Sequence, residues 1–185
     1  MTESRLGQPA KAVALIEKVI ALDPDNATAR HELGQALADL GREEEGLAQL
    51  KRAVELEPRN SQAAFALFRL LSRRQSPEAA EYSRRVRELK REELSATQAR
   101  VLSNFALDAA KEKKWPEAVG KMREALSTCG QCQIRPFLEK NLGLIMAQAG
   151  DLKGAAAQLA AAKQLLPEDR DIQFAIDLLP RLGTP

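Results

Sequence analysis

Residues 29–60 read ARHELGQALADLGREEEGLAQLKRAVELEPRN, and residues 138–169 read LEKNLGLIMAQAGDLKGAAAQLAAAKQLLPED. Laid over each other, the two stretches share a skeleton. Leu33-Gly34 is followed by Gly41, Leu50, Ala53 and Pro58, and Leu142-Gly143 by Gly150, Leu159, Ala162 and Pro167. The offsets from the first glycine are the same in both, 7, 16, 19 and 24 residues, and Pro24 stands 34 residues before Pro58. A fixed period of this length marks a repeat fold, in which each unit buries its apolar face only against its neighbours.

Each shared residue has a physical use. Gly34 and Gly143 lie inside helical patterns, where glycine costs about 1 kcal/mol relative to alanine. A cost that recurs implies two helices crossing with no room for a Cβ. Gly41 and Gly150 fall where the first helix ends in a left-handed residue. Ala53 and Ala162 are small enough for the same close crossing. Pro24, Pro58 and Pro167 stop the second helix. Asp23-Pro24-Asp25-Asn26 and Glu57-Pro58-Arg59-Asn60 then supply turn and cap chemistry.

On these residues the chain resembles the tetratricopeptide repeat, a helix-turn-helix unit of 34 residues. The large aromatic that the family often places before the Leu-Gly pair is Arg30 in one repeat and Glu139 in the other. The aromatic three residues after the first glycine is Leu37 or Met146. The resemblance implies an all-α, right-handed α-α superhelix, a solenoid of stacked helix pairs with about ten helices. The first helix of each pair would line its concave side.

The rest of the sequence is laid out on this frame as one domain over residues 1–185. Residues 9–23 match a lone second helix, with Ala12, Ile16 and Val19 at the spacing set by Pro24. The missing partner helix points to a piece cut from a longer array. Helical pairs follow at 27–60, 61–94, 97–132 and 136–169, and a capping helix at 171–182. In the second pair Phe65, Leu67, Phe68, Leu70 and Leu71 are apolar, and Ala79, Tyr82, Val86 and Leu89 make one face. In the third, Val101, Leu102, Phe105 and Ala109 are the expected inner face. Ala118, Met122 and Ala125 follow after Trp115-Pro116.

Composition narrows the function. The chain has 28 basic and 26 acidic residues, a formal net charge of +2, which gives no reason to expect nucleic acid or an anionic membrane as partner. No apolar run reaches the roughly 18 residues of a membrane span. The N-terminus lacks the pattern of a secretory signal, so the chain as written reads as cytoplasmic, unless it is a fragment of a longer, exported protein. His31 is the only histidine, so catalytic triads and most metal sites lack partners. No phosphate loop or dinucleotide fingerprint is present. No enzyme activity and no cofactor are expected. Glu43-Glu44-Glu45 and Lys111-Glu112-Lys113-Lys114 read as solvated turns.

The sharp motif is Cys129-Gly130-Gln131-Cys132, in the loop CGQCQIRP that replaces the family's helix-ending proline. Covalent haem would need a histidine where Gln133 stands, and a structural zinc needs about four ligands. A disulfide that closes the loop, two quiet thiols and a redox pair remain as readings.

The resemblance places ligand contacts on the first helices, one to five residues before the family's glycine position and just after it. Those positions are His31 and Gln35, Phe65 and Arg69, then Arg100, Ser103, Asn104 and Leu107, then Phe137, Lys140, Asn141 and Leu144. An asparagine amide can pair with both the donor and the acceptor of an extended peptide. Arg69, Arg100 and Lys140 would meet acidic groups or a C-terminal carboxylate. Phe65 and Phe137 divide between groove and inter-repeat core. The family's clamp for chaperone tails does not carry over, because Ala66 stands in place of an asparagine. The expectation is therefore a non-enzymatic scaffold binding a peptide segment of unknown identity. The alternatives are self-assembly into a homodimer or higher oligomer and a redox role for the cysteines.

Overall fold

In the computed structural model, residues 3–182 are described, with side chains from residue 10 to 181. Every element among them is helical: α1 (Glu3–Leu22), α2 (Ala27–Asp39), α3 (Glu43–Leu56), α4 (Ser61–Arg73), α5 (Ala79–Lys111), α6 (Trp115–Cys129), α7 (Arg135–Gln148), α8 (Leu152–Leu165) and α9 (Arg170–Leu182). The all-α repeat fold is thus as expected, with nine helices described where about ten were predicted.

The difference lies in one place. A break was predicted between 94 and 97, but α5 runs unbroken for 33 residues. Between Pro77 and Pro116 the sequence has no proline and no glycine, and the stretch Lys90-Arg91-Glu92-Glu93-Leu94 is made of good helix formers. Nothing there ends a helix.

The helices pack into two compact units, Met1–Lys90 and Arg91–Pro185. In the first, α1 packs on α2, α2 on α3 and α3 on α4, and α2 also touches α4. Leu50, Ala53 and Val54 of α3 meet Ala63, Leu67 and Leu71 of α4, with Val86 and Leu89 of α5. Leu50, Leu67 and Leu71 are fully buried, each stabilising by roughly 1.5–3 kcal/mol. Val13 of α1 packs with Leu33 and Leu37, while Val19, expected on that face, is exposed. The second unit repeats the plan: α6 on α7, α7 on α8, α8 on α9, and α7 on α9. Met122, Leu138, Leu142, Leu159 and Ile172 form its fully buried centre.

The inner face expected for the 97–132 pair needs correcting. Ala96, Ala99, Ala106 and Ala109 are buried, whereas Val101 and Phe105 are 50% and 59% exposed. Alanines admit the close approach of neighbouring helices, and the large side chains turn outward.

The predicted crossings are tight. A Cβ on Gly34 would lie 2.6 Å from Leu50 Cγ and 2.9 Å from the carbonyl oxygen of Gly46. On Gly143 it would lie 2.7 Å from Leu159 Cγ. The turns also match. Gly41 and Gly150 have φ of +81° and +89°, and the same left-handed position is held by Gln75 (54°) and Lys113 (59°) in the pairs that lack glycine. In each of the four, the next residue's N–H bonds five residues back: Arg42 to Leu37, Ser76 to Leu71 and Asp151 to Met146 at 2.9 Å, and Lys114 to Ala109 at 3.0 Å. This is the Schellman closure of a helix C-terminus. After the second helices, Asn26, Asn60 and Asp169 cap the next helix by accepting from Ala29, Ala63 and Ile172 N–H at 2.8, 3.0 and 3.1 Å. Glu43–Glu45 are not a turn but the first turn of α3, where negative charge suits the helix dipole.

Candidate functional site

In the first unit the candidates fall on two touching helices, in pairs four residues apart. His31 and Gln35 share a face of α2, and Phe65 and Arg69 share a face of α4. Gln35 and Arg69 line one cleft of about 350 Å³, together with Ala38, Asp39, Ser72 and Arg73. His31 and Phe65 lie one turn before that lining. The Gln35 amide donates to the His31 ring across 2.8 Å. Burial lowers the His31 pKa below its ordinary value, with Glu32 partly opposing, so the ring is neutral at neutral pH. Phe65 is 40% exposed, stands 6.2 Å from Phe68 ring to ring, and carries Lys90 Nζ at 5.0 Å over its face. A cation already occupies that face.

Arg69 has no ion-pair partner among the described residues, whereas Arg73 beside it is held by Glu43 at 2.9 Å. The sequence did not single out Asp39, Ser72 or Arg73. The available signal was the helical step of four, which carries Gln35 to Asp39 and Arg69 to Arg73 on the same faces.

In the second unit the candidates separate into available and committed groups. Arg100 and Asn104 of α5 are exposed, and Asn141 of α7 is half-buried. Phe137 is 51% exposed, so it is surface and not core. Ser103 is buried and presents nothing to a ligand. Leu107 and Leu144 are half-buried against the unit's core. Lys140, predicted as a free cation, is bound to Asp169 at 2.8 Å and lies 3.5 Å from Asp171. Hydrogen bonding to Asp169 raises the Lys140 pKa, and Lys140 in turn lowers that of Asp169. Asp169 also caps α9, so Lys140 is built into the α7–α9 contact. That leaves Arg100 as the cation offered by this set.

Cys129 ends α6 and is joined to Cys132 in a disulfide, with Cα atoms 5.1 Å apart. Both cysteines are buried with the core of the second unit. Gly130 between them has φ of +56°, and its carbonyl accepts from Arg135. The link therefore sits in the loop that lacks the family's helix-ending proline. No group of three or more His, Cys, Asp or Glu side chains suited to a metal ion occurs among the described residues. No helix among them is long and apolar enough to cross a membrane.

The tetratricopeptide repeat family matches residues 5–67. A curated relative, the protein CTR9 homolog of Arabidopsis thaliana, is 27% identical over 122 residues, covering 66% of this chain. The chain spans only 11% of that relative's length. Among solved structures, the TPR domain of P58(IPK) is similar at 21% identity and a TM-score of 0.46, covering 94% of this chain and 50% of that one. YrrB, a TPR protein described as having an unusual peptide-binding site, is 20% identical with a TM-score of 0.43, covering 95% and 87%. TTC0263, a thermophilic TPR protein of Thermus thermophilus, is 20% identical with a TM-score of 0.41, covering 96% and 93%. Residues 5–67 match the tetratricopeptide repeat, and the same offsets recur in α7 and α8, so the chain is a helical-repeat protein built on tetratricopeptide-like units.

Proposed function

We propose that this chain is a non-catalytic scaffold that binds an extended, acidic peptide segment on the first helices of its repeats. The tetratricopeptide fold generally serves protein–protein interaction. What favours a peptide here is the cleft between α2 and α4, where an amide (Gln35) and an arginine with no ion-pair partner among the described residues (Arg69) line the same concavity. A guanidinium in that position suits a carboxylate, which it can meet with two parallel hydrogen bonds. In the second unit Arg100 offers the same charge, and Asn104 and Asn141 offer amides that satisfy a peptide backbone. His31, neutral and bonded to Gln35, orients that amide and adds no charge.

A peptide array probed with the full chain tests this reading. Arrays of acidic and matched neutral sequences would be compared for the wild type, Arg69→Ala, Arg100→Ala and Asn141→Ala. Acidic spots should dominate, and Arg69→Ala should weaken them by about 10-fold, the scale of one charge-assisted contact. Binding left unchanged in all three variants would remove the groove assignment.

A further inference from the structure

α1 is a second helix of the repeat without its first. Counted back from Pro24, Val19 holds the position that Ala53 holds before Pro58 and Ala162 before Pro167. Leu15 likewise stands where Gln49 and Gln158 stand. In α3 and α8 the first helix of the pair, α2 or α7, lies on this face, and both alanines are buried under it. α1 packs on α2 and on no other helix, through Val13, Ile16 and Ile20. Its other side is open: Leu15 is 63%, Val19 44% and Leu22 89% exposed.

This open face is not shaped for another close repeat crossing. Ala53 and Ala162 let the paired helix approach until a glycine is needed opposite, as at Gly34 and Gly143. Val19 and Leu15 are larger than the residues they replace, so they hold a partner helix further off, where side chains interlock. Their order is that of a coiled-coil seam. Ala12, Leu15, Val19 and Leu22 advance by three, four and three residues, which puts Ala12 and Val19 at one core position and Leu15 and Leu22 at the other. A β-branched residue at the first position with leucine at the second favours two parallel strands. We propose that this seam is an interface for α1 of a second copy of the chain, paired in parallel about a two-fold axis running along the helix.

Charge fits the same register. Lys18 flanks Val19 and Asp23 flanks Leu22, at the two positions that face each other across a parallel seam. Lys18 of each copy therefore meets Asp23 of the other, and symmetry makes the pair twice. Asp23 keeps the helical register, since its N–H bonds to the Val19 carbonyl at 2.9 Å. Among the described residues Lys18 has no ion-pair partner, and the Asp23 carboxylate accepts only from the Asn26 side chain, at 3.2 Å. An antiparallel pairing would bring the two Lys18 side chains together at the axis, so charge rejects it. No residue of α1 lines the cleft between α2 and α4, so the pairing leaves that cleft open to a peptide.

Sedimentation equilibrium of the full chain tests the proposal, with circular dichroism confirming unchanged helix content. The seam covers only about three helical turns, so the wild type should form a weak dimer in reversible exchange with monomer. Leu15→Asp should weaken it by more than about 30-fold, the scale of a central apolar anchor. Lys18→Glu and Asp23→Lys should each weaken it by about 10-fold, since each reversal acts at two symmetric pairs. The double variant should recover to within about threefold of wild type, because both pairs are restored in swapped form. Leu22→Cys should cross-link two chains under mild oxidation, because the parallel register sets the new thiols opposite each other and the native cysteines are already joined. A wild type that stays monomeric to millimolar concentration leaves the face to some other partner and overturns the proposal. So does a dimer indifferent to Leu15→Asp, a double charge variant no tighter than the singles, or a Leu22→Cys dimer that does not cross-link.

Discussion

Substituting Gly34 by alanine adds one methyl group at the closest helix crossing of the first unit. On an open helix surface the change would stabilise by about 1 kcal/mol through helix propensity. Here the new Cβ would sit 2.6 Å from Leu50 Cγ and 2.9 Å from the Gly46 carbonyl oxygen. Ordinary contact begins near 3.4 Å, so Leu50 must retreat by most of an ångström. Leu50 is 1% exposed and borders the cleft between α2 and α4, whereas the Gly46 oxygen belongs to backbone and cannot yield. Overpacking of this kind costs about 1–3 kcal/mol, and the fixed Gly46 backbone argues for the upper end. Offsetting the propensity gain leaves a net loss of about 2 kcal/mol, or roughly 4–8 °C in melting temperature for a chain of this size.

Gly120 is the internal control. It lies within α6, and a Cβ there meets nothing within 4 Å. Gly120→Ala should raise the melting temperature by about 2–4 °C. Thermal and urea unfolding followed by circular dichroism would measure both. The Gly34→Ala, Leu50→Ala pair isolates the cause. Leu50→Ala alone should cost about 2–5 kcal/mol, yet the double variant should lose less than the sum, because the new methyl occupies the vacated space. A Gly34→Ala protein as stable as wild type would refute the close-crossing argument.

Other expectations follow from the same physics. Gln75 and Lys113 hold left-handed backbone without being glycine, so Gln75→Gly and Lys113→Gly should each stabilise by about 0.5–1 kcal/mol in urea titrations, the relief of strain exceeding glycine's entropy cost. The native oxidised protein should show no free thiol on titration, and Cys129→Ser with Cys132→Ser should lower stability by about 2 kcal/mol or less, the small value set by so short a loop. The single imidazole should titrate below 6.5 by proton NMR. Burial keeps His31 neutral in the fold, so the unfolded chain takes up the proton first. His31 therefore adds its full share of stability above that pH and loses it as pH falls below. His31→Asn should flatten that acid limb of the stability curve.

Much of the fold could be read from sequence because its determinants are local. Gly34, Gly41, Ala53 and Pro58 each report a backbone or contact requirement at a fixed offset, and the same requirements reappear around Gly143. The break predicted in α5 failed because it rested on the period alone, with no glycine or proline to enforce it. Similarly, Gln75 and Lys113 were illegible as turn residues, since their side chains do not advertise a left-handed backbone. The candidate site was less legible than the fold. Family position located Gln35 and Arg69 at one cleft, but it did not reveal that Asp169 occupies Lys140 or that Ser103 is buried. Those outcomes depend on what the neighbouring helix brings, such as an aspartate that also caps α9.

The middle of α5 has a mechanical consequence. Residues 91–94 are exposed at every position, so no side chain there is anchored in a core. Free energies of local opening track burial, so this turn should open more readily than the turns of α5 that carry core residues such as Leu89 and Ala99. A trypsin-like protease seeking Lys90 or Arg91 would find its cut there, and a chain nicked at that point keeps the core residues of each unit on one fragment.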